Sequence, residues 1–564
     1  MKRIWLQRYP PGVPPDIDVG AYRSIGALFE MSAVKFGSRA AFINMGTAIS
    51  YAELERLTRC FAAYLQGVLK LPRGARIALM MPNVLQYPIA MLGALRAGCT
   101  VVNCNPLYTA RELKHQLQDS GAQVVVVIEN FASVVEQVVA ATHVEHIVVT
   151  GLGDMLVFPK GSTINFVVRH VKKLVPAWRL PQAVSFKTAL QLGAKAPFER
   201  VDVGPDELAF LQYTGGTTGT PKGAMLSHGN IVANVEQGHA MLRPLLEEGR
   251  EVVVTALPLY HIFALTANCL TFLKIGATDV LITNPRDIPG FVKQLARCRF
   301  SVITGVNTLF KALLNSPDFA KLDFSPLRIA VAGGMAVQRT VAEKWRQTTG
   351  KALIEAYGLS EASPGVAMNP LDLADYNGSI GLPIPSTEIA IRNDDGGDLG
   401  VDEVGELCVR GPQVMKGYWN DPTATAKVMM ADGFMRTGDI AVIDAAGFVR
   451  IVDRKKDIII VSGFKVYPLE VEEVMSMCPG VLEAAAFAVP DAESGHAVKV
   501  AVVRKDPTLT AQDLIAHCRK HLTGYKVPRH VEFRDELPKS PIGKVLRRAL
   551  VENVDEAPET SRRS

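Results

Sequence analysis

The sequence lacks three features that would assign it to a specialised class of protein. Its eight cysteines include no Cys-x-x-Cys pair, so we expect reduced thiols in the cytoplasm and neither a disulfide framework nor a zinc site. No apolar run approaches the roughly 20 residues of a membrane-spanning helix, although the mean hydropathy is +0.15. The 61 basic side chains barely exceed the 56 acidic ones, which argues against a nucleic-acid-binding protein.

What is present describes a large packed protein. The 564 residues are 48% hydrophobic and 21% charged, a composition that excludes a largely disordered chain and predicts about three or four domain-sized units. The first residues contain two prolines but no apolar segment before them, so we expect no secretory signal there.

The order of apolar patterns predicts an α/β fold. Strand-like runs such as 76–80 and 123–128 alternate with helical periodicity at 85–97, which is typical of a parallel sheet covered by helices. Short alternating strands with Gly and Asp turns then predict a β-rich subdomain at about 381–452. We therefore expect a large multi-subdomain N-terminal α/β body over 1–452, a connecting segment at 453–456 and a small α+β domain over 457–564.

One glycine-rich loop is the strongest local signal. Residues 213–223 follow an apolar strand and are Tyr213, Thr214, Gly215, Gly216, Thr217, Thr218, Gly219, Thr220, Pro221, Lys222 and Gly223. Glycines let backbone amides approach an anion, hydroxyls add donors and a lysine adds charge, so the loop predicts a polyphosphate site. It is not a Walker A loop, because Ser or Thr does not follow the lysine.

Further motifs occur in a fixed order after this loop. They are Leu-Pro-Leu-Tyr-His-Ile-Phe-Ala-Leu at 257–265, Glu-Ala-Tyr-Gly-Leu-Ser-Glu at 355–361, Arg-Thr-Gly-Asp at 436–439, Asp-Arg-Lys-Lys-Asp at 453–457 and Pro-Lys-Ser-Pro-Ile-Gly-Lys at 538–544. With them the sequence resembles the adenylate-forming superfamily of acyl-CoA synthetases, luciferases and peptide-synthetase adenylation domains. Segments 282–289, 303–310 and 432–440 are most similar to bacterial long-chain fatty-acid–CoA ligases.

The resemblance implies a two-step reaction. A fatty acid attacks the α-phosphorus of ATP to give acyl-AMP and pyrophosphate, and CoA then displaces AMP to give the thioester that feeds fatty-acid degradation. ATP and CoA are the implied co-substrates and Mg²⁺ the implied metal. A ligase for medium-chain or aryl acids, a ligase that stops at acyl-AMP and a non-catalytic lipid-binding member remain alternatives.

The resemblance also implies roles for residues around the nucleotide. Thr214 and Glu361 would hold Mg²⁺, since hydroxyl and carboxylate oxygens suit that ion. Tyr357 would stack on adenine, Asp439 would accept hydrogen bonds from the ribose hydroxyls, and Arg454 would reach the same nucleotide. The remaining implied nucleotide-binding residues are Gly334, Met335, Ala356, Gly358, Leu359 and Ser360.

Lys544 is the most specific expectation. By resemblance it comes from the small domain to bind the carboxylate and the α-phosphate, and His261 lies between the acyl carboxylate and the nucleotide. Lys456 matches the position of a hinge, about which the small domain rotates between the half-reactions. The implied CoA residues after rotation are Ser462, Gly463 and Phe464, and the implied acyl-pocket residues are His261, Gly305 and Val306.

Residues 165–178 suggest a contact with a membrane. Their pattern predicts a basic amphipathic helix with Val171, Leu174 and Trp178 on one side and Lys172 and Lys173 off it. Such a helix can lie on an anionic bilayer, or it can pack on its own domain. We therefore expect a cytoplasmic protein with a peripheral membrane contact as one open alternative, and a homodimer as another.

Overall fold

The computed structural model describes residues 3–214, 221–491, 493–540 and 543–555, with side chains up to residue 551. Predicted loop residues Gly215, Gly216, Thr217, Thr218, Gly219 and Thr220 lie outside this part of the chain.

The described residues form strands in four sheets. In chain order the strands are β1 Ala40–Asn44, β2 Thr47–Ser50, β3 Arg76–Met80, β4 Thr100–Asn103, β5 Val124–Ile128, β6 His146–Thr150, β7 Val184–Ser185, β8 Leu208–Thr214, β9 Lys222–Ser227, β10 Val252–Thr255, β11 Thr278–Leu281, β12 Val302–Gly305, β13 Ile329–Ala332, β14 Ile354–Gly358, β15 Gly365–Met368, β16 Leu382–Pro383, β17 Glu388–Arg392, β18 Gly405–Arg410, β19 Met435–Ile443, β20 Val449–Arg454, β21 Ile459–Val461, β22 Phe464–Val466, β23 Val481–Asp491, β24 Gly495–Arg504 and β25 His530–Arg534.

Helices connect most of these strands. They are α1 Ile25–Phe36, α2 Tyr51–Ala63, α3 Gln86–Arg96, α4 Ala110–Ser120, α5 Ala132–Val138, α6 Lys160–Phe166, α7 Phe186–Gly193, α8 His228–Leu242, α9 Thr271–Lys274, α10 Ile288–Leu295, α11 Asn307–Leu314, α12 Arg339–Thr349, α13 Pro422–Val428, α14 Pro468–Ser476, α15 Ala511–His521 and α16 Arg547–Asp555. Shorter π-helical segments occur at Tyr64–Val68, Val167–Val171 and Ala264–Leu270.

Two large sheets form the body. One has the order β7-β6-β5-β3-β4-β8-β9 and is parallel except for its last pair, and the other has the order β16-β15-β14-β13-β12-β10-β11-β1-β2 with a parallel centre from β14 to β1. Strand β5 is typical of such a parallel sheet. All five of its residues are apolar and buried, as expected for a strand covered by helices on both faces. The predicted α/β class is confirmed.

Helix α8 starts directly after β9 and is fixed at its first turn. The Ser227 hydroxyl accepts from the Asn230 amide at 3.1 Å, and the Asn230 side chain accepts from the Ser227 amide at 3.0 Å. This reciprocal pair satisfies two helix-end donors. The Asn230 amide group also donates to the carbonyls of Pro412 and Val414, so the start of α8 has a fixed position beside the loop that precedes α13.

The smaller sheets follow in the order that the pattern predicts. Strands β17 to β20 form an antiparallel sheet, and β21 to β25 form a separate mixed sheet with α14, α15 and α16. The boundaries differ in detail. Strand β20 continues through Asp453 and Arg454, two residues beyond the predicted boundary at 452, because both residues pair with β19. The first strand of this antiparallel sheet, β17, begins at Glu388.

The prediction of one helix over 165–178 is wrong. Helical backbone ends at Val171, and Lys173 has a positive φ of 50°. Trp178 packs against the core beneath the seven-stranded sheet instead of joining an exposed apolar face. In the part of the chain that the structure describes, no helix has the length and apolar composition needed to cross a membrane.

Candidate active site

A cavity of about 1500 Å³ lies between the body and the small domain. Its polar end is lined by Thr214, Lys222, Tyr357, Glu361, Arg454 and Lys544. Its apolar end is lined by Met241, Leu242, Phe272, Val302, Val331 and Ile384. Residues from the small domain close the polar end, so both domains contribute to one space.

Strands β8 and β9 pair with each other and flank the predicted phosphate loop in the chain. Thr214 ends β8 opposite Lys222, which begins β9. The Lys222 ammonium lies 3.5 Å from an Asp421 carboxylate oxygen and 5.4 Å from the centre of the Tyr418 ring. A hydroxyl and an ammonium thus lie at the two ends of the loop, as a polyphosphate site needs.

Tyr418 is a site residue that sequence reasoning missed. Its hydroxyl donates to the Glu361 carboxylate at 2.8 Å. Burial, and then the charge of this carboxylate, raise the pKa of Tyr418. Gly417 before it has φ +136°, and the Met225 amide donates to the Gly417 carbonyl. The available signal for Tyr418 in the sequence was a glycine directly before an aromatic residue, and a Gly-Tyr pair alone does not predict a binding site.

Asp439 connects two of the predicted nucleotide residues. It is 5% exposed and accepts a hydrogen bond from the Tyr357 hydroxyl. The Arg454 guanidinium lies 3.1 Å from its other oxygen. Burial, and then the charge of Asp439, raise the pKa of Tyr357 well above its usual value, so Tyr357 stays a neutral donor.

Lys544 extends into the polar end from the small domain. The preceding Gly543 has φ +84°, and a side chain there would meet the Thr308 hydroxyl on α11 at 2.6 Å, so the turn that presents Lys544 fits closely against the body. Burial, and then the nearby Arg454, lower the pKa of Lys544 to about 8. A partly desolvated ammonium of this kind favours an incoming anion.

His261 faces the same space as a neutral side chain. Burial, and then the charge of Lys544, lower its pKa to about 4. Its Nδ1 accepts from the Phe263 amide at 3.3 Å, which assigns the proton to Nε2. His261 can therefore donate a hydrogen bond to a substrate oxygen but carries no charge at neutral pH.

The residues around the predicted hinge form a charged cluster. Asp453 is fully buried and accepts hydrogen bonds from the Arg454 amide and, across the connection, from the Leu469 amide, both at 2.7 Å. Arg547 donates to Asp457 at 3.1 Å and lies 4.0 Å from Asp453. Burial opposes its charge, but Glu472 and the two aspartates raise the pKa of Arg547.

Comparison with known families agrees with this geometry. Residues 29–419 match the model described as "AMP-binding enzyme" and residues 470–544 match "AMP-binding enzyme C-terminal domain". The chain belongs to the AMP-binding enzyme family.

Full-length relatives are similar to this member of the AMP-binding enzyme family. A "Long-chain-fatty-acid–CoA ligase" of Yersinia pestis is 58% identical over 98% of both chains. The structure of ATP-bound MatB from Rhodopseudomonas palustris has a TM-score of 0.81 and 29% identity over 94% of this chain and 99% of that one. An anthranilate CoA ligase in complex with anthranoyl-AMP has a TM-score of 0.84 at 22% identity, over 96% and 99%, which shows the shared fold.

The cavity of this AMP-binding enzyme includes many predicted residues and leaves others out. Predicted residues on its wall are Tyr213, Thr214, Lys222, His261, Gly334, Ala356, Tyr357, Gly358, Leu359, Ser360, Glu361, Arg454, Lys456 and Lys544. Predicted residues outside the described wall are Pro221, Gly223, Gly305, Val306, Met335, Asp439, Ser462, Gly463 and Phe464. Asp439 lies directly behind the wall through Tyr357 and Arg454.

The structure explains why Gly305 and the predicted CoA residues do not line the cavity. Gly305 is at the end of β12, and a side chain there would meet Phe310 and Leu309 on α11; Val302 and Thr304 of the same strand line the cavity instead. The predicted CoA residues form the exposed turn between β21 and β22, where Ser462 and Gly463 have positive φ angles of 49° and 85°. In this arrangement of the domains the turn lies outside the cavity.

Proposed function

We propose that the protein is an AMP-forming long-chain fatty-acid–CoA ligase. The observation that carries the proposal is that one cavity joins the nucleotide motifs and Lys544 to an apolar arm, which is lined by Met241, Leu242, Phe272, Val302, Val331 and Ile384. An acyl-AMP has the same two parts, a charged nucleotide and an apolar tail. The names and full-length identities of the curated relatives support the same function.

The first step is the attack of a carboxylate oxygen on the α-phosphorus of ATP, with release of pyrophosphate. Both reactants are anions, so the site must bring negative charges together and neutralise them. Lys544 supplies the charge between carboxylate and α-phosphate, and the neutral His261 donates from Nε2 to the carboxylate. Arg454 and Asp439 orient the ribose.

Magnesium fits this donor set as a partner of the phosphates. Thr214 and Glu361 each present oxygen to the cavity, and Mg²⁺ commonly combines one or two protein oxygens with substrate phosphates and water. No cluster of three His, Cys, Asp or Glu side chains occurs in the part of the chain that the structure describes, so the phosphates and water would complete the coordination. When bound, the ion would neutralise phosphate charge.

The second step is the attack of the CoA thiol on the acyl carbonyl carbon, with loss of AMP. We infer that rotation about Lys456 removes Lys544 from the cavity and brings the turn at Ser462, Gly463 and Phe464 toward it. The cluster of Asp453, Arg547 and the Leu469 amide would open or rearrange in that rotation.

A membrane surface is a proposed partner of the enzyme. Five exposed apolar residues lie on or before α6 and just after it: Val157, Phe158, Phe166, Val171 and Leu174. Lys172 and Lys173 are exposed beside them, which complements an anionic bilayer. Co-sedimentation with anionic vesicles should fall on exchange of Phe158 and Phe166 for Ser; no binding of the unaltered protein at low salt would contradict the proposal.

The enzymatic function is tested with purified protein, hexadecanoate, ATP, MgCl₂ and CoA. We expect acid-dependent pyrophosphate release, and acyl-CoA and AMP in equal amounts when CoA is present. Absence of acid-dependent pyrophosphate release would contradict the function, and acyl-AMP without thioester would indicate a ligase that stops at the first step.

A further inference from the structure

We propose that Gly238 of α8 determines the acceptance of long acyl chains by keeping the apolar arm of the cavity open at its middle. The inference rests on the proposed function and concerns the residue that selects chain length. The fold family predicts an acyl site, but no motif in this sequence points to Gly238.

One face of α8 forms a wall of the arm. Asn234, Gly238, Met241 and Leu242 line the cavity, and their spacing of four, seven and eight residues places them on one side of a helix. At a rise of 1.5 Å per residue, Gly238 lies about 6 Å beyond Asn234 and about 6 Å before Leu242. It therefore lies midway along the stretch of α8 that lines the cavity.

The absence of a side chain at 238 leaves free space rather than a close contact. A Cβ built there would meet only Thr271, at 3.6 and 3.9 Å, which is ordinary van der Waals distance. Some other helical glycines of the body are crowded; a Cβ at Gly193 would meet the Cys60 carbonyl at 1.8 Å. Packing therefore does not require glycine at 238, although glycine destabilises a helix interior relative to alanine.

Helix α8 cannot easily move away to admit a larger residue. The Asn234 side chain both donates to the Gly365 carbonyl and accepts from the Gly365 amide, at 3.0 and 2.9 Å. The buried Gln237 amide donates to Pro385, Thr387 and Gln413 at 2.8 to 3.2 Å. The Asn234 bonds hold α8 against β15, and the Gln237 bonds hold it to the segments before β17 and after β18. A long side chain at 238 would therefore project into the arm.

The arm ends beyond Gly238 in a small apolar cluster. Met241, Leu242, Phe272, Val302, Val331, Met368 and Ile384 belong to it and line the cavity. A chain that reaches this cluster buries several more methylene groups than one that stops at Gly238, and each buried methylene group favours binding. Blocking the arm at Gly238 should therefore penalise long acids and spare short ones.

The test measures kcat/KM for octanoate and hexadecanoate by CoA-dependent AMP release. For Gly238→Met we expect the hexadecanoate to octanoate ratio to fall on the order of tenfold or more, with octanoate nearly unchanged. Gly238→Ala is the matched control, because its methyl group has room, and should keep the ratio within about twofold.

A second variant keeps the test informative if Gly238→Met does not fold. Leu242→Ala enlarges the closed end and should raise the ratio of eicosanoate to hexadecanoate, with the thermal unfolding temperature of each variant recorded. An equal loss on all acids for a folded Gly238→Met, or an unchanged ratio in both Gly238→Met and Leu242→Ala, would overturn the role of Gly238. An unaltered protein that activates no acid would instead contradict the proposed function.

Discussion

The polar and apolar ends of the cavity differ in the kind of side-chain contacts that form them. At the nucleotide end, side chains from distant segments meet through specific polar contacts, such as Tyr357 with Asp439 and Tyr418 with Glu361. At the apolar end, which is the proposed acyl site, side chains such as Leu242 of α8, Val302 of β12 and Val331 of β13 line the cavity. The nucleotide end should therefore control rate, and the acyl end should control which acid is used.

Of the variants that test this difference between the two ends, Lys544→Ala should have the largest effect. We expect acyl-AMP formation to fall by about 100-fold to 1000-fold, because a charge that stabilises the transition state is removed. Thioester formation from supplied acyl-AMP should be nearly unchanged. Rapid-quench measurement of each half-reaction tests this, with the exposed Lys520→Ala as control; equal loss of both half-reactions would contradict the role.

A change in the connection between the domains is expected to impair the second half-reaction and to spare the first, which is the opposite of Lys544→Ala. Lys456→Pro restricts φ at one residue, while the flanking turn keeps its bonds from the Lys455 amide to Gly438 and from the Asp457 amide to Arg454. We expect thioester formation to fall at least about tenfold with adenylation largely intact. Lys456→Ala, which leaves φ free, is the control, and full turnover of the proline variant would exclude the hinge.

Tyr357→Phe tests whether the nucleotide end acts independently of the acyl end. Removal of the hydroxyl takes one hydrogen bond from the buried Asp439, a loss on the order of tenfold for a bond to a charged group. We expect this loss in the KM for ATP, with the hexadecanoate to octanoate ratio unchanged. A changed ratio would show that the two ends are not separable.

The smallest predicted effect is a dependence of adenylation on pH. Lys544 has a pKa lowered to about 8, so its charge is present below that pH and is lost as the pH rises through it. We expect kcat/KM for ATP to be about half its maximum at pH 8. Lys544→Arg should remove this alkaline decline whatever its absolute rate; an unchanged decline would assign it to another group.

The same comparison explains how much the sequence could predict. The positions of Lys544 at the cavity and of Asp439 behind its wall could be expected, although the two residues are far apart in the chain, because each lies in a motif by which the sequence resembles the adenylate-forming superfamily. Without that resemblance, the residue types alone would suggest a solvated basic face and an ordinary turn. Gly238 was not, since one glycine in a helical pattern carries no signal of the space beside it. Gly305 was predicted as an acyl-pocket residue, but its strand places Val302 and Thr304 on the cavity wall instead.

The region around 165–178 shows a second limit of structure prediction from the sequence. Its charges and apolar residues fit a helical period, but hydrophobic periodicity does not specify which partner covers an apolar side chain. Trp178 packs on the core of its own domain, whereas Phe166 and Leu174 are 59% and 55% exposed. Such a distinction depends on tertiary contacts that a single sequence does not contain.

A crystal structure with a non-hydrolysable hexadecanoyl adenylate tests the shared cavity most directly. We expect the nucleotide beside Tyr357, Asp439 and Lys544, with the alkyl chain running along α8 past Gly238 toward Leu242. An alkyl chain that leaves the cavity by another route, with the arm along α8 unoccupied, would contradict it.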